Sequence, residues 1–544
     1  MDIRETIEKA IKEIGAEAPF VELEVPRAHE HGDLSTPVAM LMASALRRPP
    51  REIAGELSAI LSGSGIFETV DVAGPGFINL TFREDFLLNE MKRLIEDPRE
   101  YLYRDIGRGK KIQVEFVSAN PTGPLHLGHG RGAAVGAALS NLLSKAGYDV
   151  EREFYINDAG RQVRLLGESI FSRYKEALGG DHPIPEDGYR GEYVREAAER
   201  IVKETGGRFA GVDYRSAEDY FVGHATELML KEIERDLADF GVHFDRWQSE
   251  RALYSEGLVE KCIGELRAKA RIYDKDGALW FRATGYGDDK DRVVIKSDGS
   301  YTYFASDIAY HWYKIQRGFD ELIDIWGADH HGYVSRIKAV IRALGQEGDK
   351  LNVLLVQMVT LLRGGRPVQM SKRTGEFVTL REVMEEVGSD ITKFVFLTRR
   401  PDSQLEFDIE TAKKESSENP VYYVQYAHAR INSIFRKAKE QGIDPDKTDT
   451  RYIDSLGEKE DFSLIKKILF YPLMFEGAVR AREPHRVTFY LQDLAGIFHP
   501  YYNTHRVLGV SRETTSARLL LCRAVKTVLE EGLSVLGVSA PERM

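Results

Sequence analysis

The sequence has only two cysteines, Cys262 and Cys522, which excludes a disulfide scaffold and is typical of a protein in a reducing cytoplasm. It also lacks a long hydrophobic run, because its longest apolar stretch, at 353–362, is about ten residues long and contains Gln357, whereas a membrane span needs about twenty. Acidic side chains occupy the first residues, where a signal peptide would be apolar. The net charge of −11 excludes a uniformly basic protein that coats nucleic acid.

The composition is that of an ordinary globular protein, with 42% hydrophobic and 30% charged residues. Changes of pattern predict three domains: an α+β domain at 1–106, an α/β domain at 107–410 and an all-helical domain at 411–544. The last of these has a small excess of basic residues over an acidic body. That excess favours a local nucleic-acid surface, but random charge variation in a helical domain explains it equally well.

The α/β domain opens with a strand at 111–117, a polar loop, a helix of small residues at 130–143 and a second strand, Asp149–Ile156. This order is a βαβ unit and predicts a parallel, doubly wound sheet. We expect a second βα set with strands at 292–295, 301–304 and 322–326, and a surface insertion without clear period at 181–215. In the first domain, the stretch 70–82 predicts a strand pair broken by Gly74-Pro75-Gly76.

The segment Ser118–His129 (SANPTGPLHLGH) follows the first strand and opens the helix, where a parallel sheet binds its ligands. His126 and His129 are three residues apart, hence on one helix face, and can donate hydrogen bonds to phosphate oxygens. Gly123 and Gly128 allow a ligand to approach the backbone at a helix N-terminus that favours anions. The alternative is that the two histidines only cap and pack the helix.

A second element, Met370-Ser371-Lys372-Arg373, lies in a glycine-flanked loop. Lys372 is a compact cation on a flexible stem and suits a pyrophosphate leaving group. A solvated surface pair is the alternative for Lys372 and Arg373 taken alone.

Together the two elements resemble the HIGH and KMSKS signatures of class I aminoacyl-tRNA synthetases. Five more segments are similar to arginyl-tRNA synthetases in particular: 155–162 (YINDAGRQ), 303–309 (YFASDIA), 326–333 (WGADHHGY), 419–430 (NPVYYVQYAHAR) and 540–544 (APERM). The resemblance covers nearly the whole chain. It implies a Rossmann-like catalytic domain between an N-terminal domain that touches tRNA and a helical anticodon-binding domain.

The resemblance also implies the reaction. Arginine attacks the α-phosphate of ATP to give arginyl-adenylate and pyrophosphate, and the 2′-hydroxyl of the terminal adenosine of tRNA then takes the arginyl group. The expected substrates and partners are ATP with Mg²⁺, arginine and the tRNA for arginine. The protein is expected to be a cytoplasmic monomer that binds neither zinc nor a membrane. A different class I synthetase and a catalytically inactive RNA-binding relative are the alternatives.

By position, the resemblance assigns catalysis to His126, His129 and Lys372. It assigns ATP contacts to Gly123, Pro124, Leu125, Leu127, Gly128, Gly130, Gly327, His330, Met370, Ser371 and Arg373. The sequence departs from the family at Gln369, where the second motif usually begins with lysine. Activity should survive this change, because Lys372 is the lysine expected to act on the transition state.

A buried guanidinium needs carboxylates with matching planar geometry. The family positions for arginine are Glu115, Ser118, Asn120, Tyr303, Asp307 and Asp329. The alternatives are that Glu115 is a strand-edge acid facing water and that Asp307 is the N-cap of a helix. His330 and His331 have no third ligand at metal spacing, so we expect no metal site.

In the helical domain, aromatic and basic side chains could contact the anticodon stem and loop. The residues expected to bind tRNA are Tyr422, Tyr426, Arg430, Tyr501 and Arg506, with Tyr423 and Tyr502 as further candidates. The alternative for each tyrosine is packing in the core.

Overall fold

The computed structural model describes residues 3–26, 28–368 and 378–544. Its N-terminal part has five helices, α1 (Ile3–Glu13), α2 (Val38–Leu46), α3 (Pro50–Ser62), α4 (Glu84–Glu96) and α5 (Pro98–Leu102). Three strands, β1 (Leu34–Thr36), β2 (Phe67–Ala73) and β3 (Phe77–Phe82), form an antiparallel sheet in the order β1-β3-β2. The strand pair predicted around Gly74-Pro75-Gly76 is confirmed.

The centre of the molecule is a five-stranded sheet in the order β11-β10-β4-β5-β6, with every pair parallel. Its strands are β4 (Lys111–Glu115), β5 (Asp149–Ile156), β6 (Arg246–Ser249), β10 (Glu321–Gly327) and β11 (Leu351–Val356). The predicted doubly wound parallel sheet is therefore confirmed. The strand order reverses between β4 and β10, and ligands bind beyond the carboxyl ends of strands at such a point.

Eight helices lie between or after these strands in the chain: α6 (Leu127–Lys145), α7 (Arg161–Ala177), α8 (Glu192–Thr205), α9 (Tyr214–Asp239), α10 (Glu250–Ser255), α11 (Leu258–Ala268), α12 (Tyr303–Gln316) and α13 (Val334–Ala343). A separate antiparallel sheet contains β7 (Ile272–Lys275), β8 (Ala278–Phe281) and β9 (Arg292–Ile295). Two expectations are corrected here. The strand at 292–295 belongs to this separate sheet, and 301–304 starts α12 instead of forming a strand. The insertion at 181–215 contains α8, which the sequence pattern did not predict.

A third small sheet combines β12 (Val359–Arg363), β13 (Arg366–Pro367) and β14 (Leu405–Asp408), with β12 parallel to β14 and antiparallel to β13. It is followed or flanked by α14 (Leu380–Val387), α15 (Ser389–Phe396) and α16 (Ile409–Ala412). The C-terminal part is all helical, as predicted: α17 (Pro420–Glu440), α18 (Lys459–Leu469), α19 (Tyr471–Ala481), α20 (His485–Thr504) and α21 (Arg512–Leu536).

One continuous apolar core runs from the N-terminal sheet through α6 into the C-terminal helices. Ion pairs join the same two outer parts directly, Lys466 to Asp33 at 2.7 Å and Lys92 to Asp454 at 2.6 Å. The helices α7, α8 and α9 have an apolar core of their own. Among the described residues, no helix is both long and apolar enough to cross a membrane.

Candidate active site

The turn that leaves β4 is strained. Val117 and Ser118 have φ angles of 69° and 40°, in the left-handed region that L-residues avoid and that is rare for a β-branched side chain. The turn brings the Ser118 hydroxyl back to Glu115, to whose Oε1 it donates at 2.8 Å, while Tyr155 N donates to Ser118 Oγ at 3.1 Å. Backbone strain at a strand end beside the switch point marks this turn as part of a site.

His126 and His129 cap the start of α6 reciprocally. His126 Nδ1 accepts from the backbone N–H of Gly128 at 3.1 Å, and His129 Nδ1 accepts from the N–H of His126 at 3.3 Å. The rings stack with centroids 3.7 Å apart. A neutral imidazole that accepts at Nδ1 carries its proton at Nε2. The two histidines therefore do cap the helix, as the alternative stated. The same two hydrogen bonds orient both rings so that Nε2–H is the donor of each.

A cleft of about 730 Å³ opens over this helix start. His126 and His129 line one side, and the segment 186–193 before and at the start of α8 lines the other. Tyr193 joins the two sides, because its hydroxyl donates to the carbonyl of Thr122 at 2.9 Å. At Gly128 a Cβ would lie 2.9 Å from the His126 ring, so only glycine leaves that imidazole in place.

Below the cleft, a group of buried charges is paired within the protein. Lys314 of α12 is wholly buried and donates to Glu115 Oε2 at 2.5 Å and to Asp324 Oδ1 at 2.7 Å. Burial alone lowers the pKa of Lys314, but the carboxylates of Asp324 and Glu115 outweigh burial and raise it. With Ser118 on its other oxygen, Glu115 is 6% exposed on the central strand, so the expected alternative of a water-facing edge acid is wrong.

A second group of acids has no such cation. Asp307 of α12 and Glu250 at the start of α10 form no ion pair with any arginine, lysine or histidine of the described chain. Burial raises the pKa of both carboxyls, and that of Glu250 reaches about 7 in a site that also feels Asp307 and Asp158. Ser306, next to Asp307 in the helix, donates to Glu250 Oε1 at 2.8 Å. After burial and the hydrogen bond from Tyr333, the nearby charges of His311 and Arg336 also affect the pKa of Asp307, but neither side chain forms an ion pair with it. Two carboxylates without an ion pair are suited to binding a cationic ligand.

Two tyrosines complete this acidic pocket. The hydroxyl of Tyr333 donates to Asp307 Oδ2. The hydroxyl of Tyr155 is buried without a hydrogen-bond partner and lies within the field of Glu250, Asp307 and Glu115. A buried polar group without a partner is rare in a folded protein and calls for a missing ligand or water.

The expected carboxylate pair stays a prediction. Glu115 was expected to receive a guanidinium with Asp307, and both of its oxygens already accept hydrogen bonds, from Ser118 and Lys314. Glu250, which forms no ion pair in the described chain, is a further candidate for the pocket. Asp307 lies inside α12, whose N-cap is Thr302, so the N-cap alternative is wrong.

The other three residues expected to contact arginine lie in different places. Tyr303 is 70% exposed at the start of α12, near the pocket. Asn120 donates to Gln162 Oε1 at 2.6 Å on the floor of the cleft. Asp329 is exposed beyond β10, with its carboxylate 3.7 Å from Nε2 of His330.

The expected ATP contacts differ in what they can offer. Gly123, Pro124 and Gly128 are partly exposed, and the first two line the cleft. Leu125 and Leu127 are 0% and 1% exposed, so only their backbone can meet a ligand. Gly130 packs against Leu380, while Gly327 and His330 are exposed after β10. Gln369, Met370, Ser371, Lys372 and Arg373 lie outside the described residues.

The tRNA candidates form an aromatic and cationic surface on α17 and α20. Tyr422 stacks on Tyr426, and the guanidinium of Arg430 lies 4.5 Å from the Tyr426 ring centroid and 4.8 Å from that of Tyr502. Arg506 is exposed after α20. Tyr501 was expected to bind tRNA, but it is 2% exposed and its hydroxyl donates to Asp461. This tyrosine therefore packs in the core.

Sequence reasoning missed Glu250, Tyr155, Tyr333 and Lys314 as members of the site. Glu250 follows the end of a parallel strand, as the histidine segment does, but β6 is only four residues long. Tyr155 and Tyr333 lay within matched segments without a chemical reason to select them. Lys314 had no signal, since a lysine in a helix is usually solvated.

Comparisons with known proteins cover the chain in three pieces. Residues 1–82 match the family model "Arginyl tRNA synthetase N terminal domain", 91–436 match "tRNA synthetases class I (R), catalytic domain", and 424–544 match "DALR anticodon binding domain". The arginine–tRNA ligase of Citrifermentans bemidjiense is 52% identical over 97% of this chain and 96% of its own. That of Aquifex aeolicus is 48% identical over 100% of this chain and 99% of its own.

Solved structures agree. The arginyl-tRNA synthetase of Thermus thermophilus has a TM-score of 0.80 and covers 100% of this chain and 99% of its own; at 24% identity it supports the fold alone. A Campylobacter jejuni structure described as a candidate arginyl-tRNA synthetase is 35% identical, with a TM-score of 0.78, and covers 85% of this chain and 100% of its own.

Proposed function

The chain belongs to the arginyl-tRNA synthetase family, and from that premise we propose that it is an arginine–tRNA ligase whose pocket of unpaired acids receives the guanidinium of the substrate. The observation that carries this assignment is the pair Asp307 and Glu250, whose carboxyl pKa values are raised by burial and which form no ion pair in the described chain. A guanidinium bridges two carboxylates with its fixed fork of donors, whereas an ammonium is a point charge and fits less well. Lysine is rejected for that reason.

The guanidinium receives further contacts from neighbouring oxygens. The unpartnered hydroxyl of Tyr155 offers an acceptor, and Tyr333 holds Asp307 by its donated hydrogen bond. Tyr303 covers the pocket from the start of α12. The α-amino and carboxylate ends of arginine lie toward Ser118 and Asn120, between the pocket and the histidines.

ATP lies in the cleft over α6. The Nε2–H donors of His126 and His129 meet its phosphates, and the helix N-terminus favours their charge. Lys372, with Ser371 and Arg373, binds the β- and γ-phosphates. The carboxylate of arginine attacks the α-phosphate, pyrophosphate leaves, and the 2′-hydroxyl of the terminal adenosine of tRNA then takes the arginyl group. The reaction asks the protein for positioning and charge stabilisation instead of a nucleophile.

Mg²⁺ enters this scheme with ATP. Among residues 3–26, 28–368 and 378–544, no three His, Cys, Asp or Glu side chains are grouped to hold a metal ion. Mg²⁺ that accompanies a nucleotide is generally bound by substrate phosphates with few protein ligands.

The division into 1–106, 107–410 and 411–544 gives each domain a task. The helical domain contacts the anticodon end of the tRNA through Tyr422, Tyr426, Arg430 and Arg506, with Tyr502 in the same surface. Stacking of bases on such rings, with arginine on phosphates, is a common mode of RNA recognition. We place the protein in the cytoplasm as a monomer. Its two buried cysteines are free, and free cysteines are typical of a reducing compartment.

One assay tests the assignment: pyrophosphate exchange with each of the twenty amino acids, with and without tRNA. Exchange with arginine alone, and only with tRNA present, is the expected result. Exchange driven by another amino acid would support a different class I synthetase. Failure with every amino acid would support an RNA-binding protein without catalysis.

A further inference from the structure

A wholly buried arginine lies two residues beyond the histidine pair. Arg131 is in α6 and is 0% exposed. Residues two apart on a helix do not share a face, so Arg131 points away from the cleft that His129 lines. It therefore cannot touch ATP, and its role is not that of a catalytic residue.

Backbone carbonyls accept hydrogen bonds from its two terminal nitrogens, whereas its buried Nε–H has no partner among the described residues. Nη1 donates to the carbonyl oxygens of Gln357 and Ser403, and Nη2 to that of Arg400, each at 2.8 Å. Burial lowers the pKa of Arg131 to about 10, so the side chain stays charged at neutral pH. A buried charge without a counter-ion destabilises the fold relative to an apolar side chain of the same size.

The three carbonyls belong to two chain segments that lead into the third sheet. Gln357 joins β11 to β12, and Arg400 and Ser403 lie in the turn before β14. These segments also bind each other, since Gln357 N donates to Pro401 O at 2.8 Å, and β12 pairs with β14. Arg131 thus fastens the whole third sheet to the helix that begins with the histidines.

The start of α6 also pairs with the chain at Thr379 and Leu380. Leu380 N donates to the carbonyl of Leu125 at 2.8 Å, and Thr379 forms an isolated antiparallel bridge with His126. The chain from Gln357 to Thr379 is therefore attached to the histidine element at both ends, by Arg131 at one and by backbone pairing at the other. In sequence, this stretch contains Lys372.

We propose that Arg131 is a positioning residue for adenylate formation, which fixes the third sheet against α6 so that the phosphates of ATP meet both signature elements in register. This inference rests on the proposed function. Reacting groups must be placed to a fraction of an ångström, and a displacement of about 1 Å can lower a rate roughly hundredfold. The hydrogen bonds of Arg131 supply that restraint without touching either substrate.

The test compares Arg131→Met and Arg131→Lys with the full-length wild type. The single-turnover rate of adenylate formation is measured per titrated active site, with tRNA present and well below the unfolding temperature. We expect Arg131→Met to lower this rate roughly hundredfold, and the KM for arginine to stay unchanged. Arg131→Lys keeps a charged donor and should recover about a tenth of the wild-type rate, which also keeps the test possible if the methionine variant does not fold.

Leu57→Ala is the matched control for lost stability. Leu57 is wholly buried in α3 of the N-terminal part, far from the cleft, so its truncation lowers the unfolding temperature without reaching the third sheet. Its rate per active site should equal that of the wild type. An equal loss of rate in Leu57→Ala, a wild-type rate in both Arg131 variants, or an effect confined to the KM for arginine would overturn the inference. A wild type that does not activate arginine would instead refute the proposed function.

Discussion

The two ends of α12 carry buried charges that the protein treats in opposite ways. Toward its C-terminus, Lys314 is bound by Glu115 and Asp324, and Arg317 is bound by Glu151 and Glu153. Every charge in this paired cluster has a partner of the other sign inside the chain. Toward its N-terminus, Asp307 and the neighbouring Glu250 form no ion pair in the described chain, and burial raises the pKa of both carboxyls.

The difference separates structure from binding on one helix. A buried ion pair contributes little net stability, but removing one partner leaves an uncompensated charge and is strongly destabilising. Removal of one charge from the paired cluster should therefore destabilise the fold. Removal of one unpaired acid should instead weaken the binding of the proposed cationic substrate. The two clusters should therefore respond to charge removal in opposite directions.

The largest expected effect is at the paired cluster. Lys314→Met leaves Glu115 and Asp324 buried without their cation and should lower the free energy of unfolding by about 3–5 kcal/mol, measured by urea denaturation. Adding Asp324→Asn removes one of the two stranded charges and should recover part of that loss. A single variant as stable as the wild type would show that the cluster is not a structural unit.

At the other end of the helix, Asp307→Asn should leave the free energy of unfolding unchanged or slightly higher. It should lower kcat/KM for arginine roughly thousandfold in tRNA-dependent pyrophosphate exchange, because a buried guanidinium loses its charged partner. Asp274 is an exposed acid on β7 that pairs with Arg267 of α11. Asp274→Asn is the matched control and should change neither the free energy of unfolding nor kcat/KM for arginine. Normal arginine kinetics in Asp307→Asn would remove Asp307 from the pocket.

The sequence was informative where the signal is local. The strand, polar loop and helix around His126 and His129 are read from spacing, and parallel pairing follows from the βαβ order. Short apolar runs are ambiguous between helix and strand. At 301–304 such a run is the first turn of α12, and packing of that helix against the sheet decides the outcome.

Charge pairing could not be read from the sequence, because it depends on contacts between distant residues. Glu115 was expected to bind substrate, and nothing in the sequence showed that the fold brings Lys314, 199 positions away, onto its carboxylate. Glu250 had no such signal either, and only the fold places it beside Ser306 and Asp307. Likewise, nothing in the sequence separates Tyr501, which is buried on Asp461, from its neighbour Tyr502 beside Arg430.

The raised pKa of Glu250, about 7, gives the comparison a pH dependence. A guanidinium needs the ionised carboxylate, so the KM for arginine should rise up to about tenfold per pH unit below 7. Glu250→Gln should weaken arginine binding above pH 7, where the wild-type carboxyl is ionised, and flatten this profile below it. A profile that stays steep in the variant would assign the titration to another group.

The same carboxyl affects stability with the opposite sign. Its folded pKa lies above the ordinary value of 4.5, so the folded protein holds the proton more tightly, and stability is lost as pH rises from 4.5 through 7. The loss amounts to about 3 kcal/mol in the protein without ligand. Urea denaturation at pH 8 should therefore find Glu250→Gln more stable than the wild type, and the same arginine concentration should stabilise the wild type more than the variant.

The smallest expected effect concerns one hydrogen bond at each end of α12. Tyr333 donates to Asp307 in the unpaired pocket, while Tyr313 accepts from Arg246 beside the paired cluster. Tyr333→Phe should raise the KM for arginine about tenfold at pH 7, because a hydrogen bond to a charged group contributes about 1.5–3 kcal/mol. The loss should shrink toward pH 9, since without its donor Asp307 holds a proton more tightly and ionises only at higher pH. Tyr313→Phe should leave the KM unchanged, and equal effects of the two variants would mean that the ends of α12 do not differ in the way proposed.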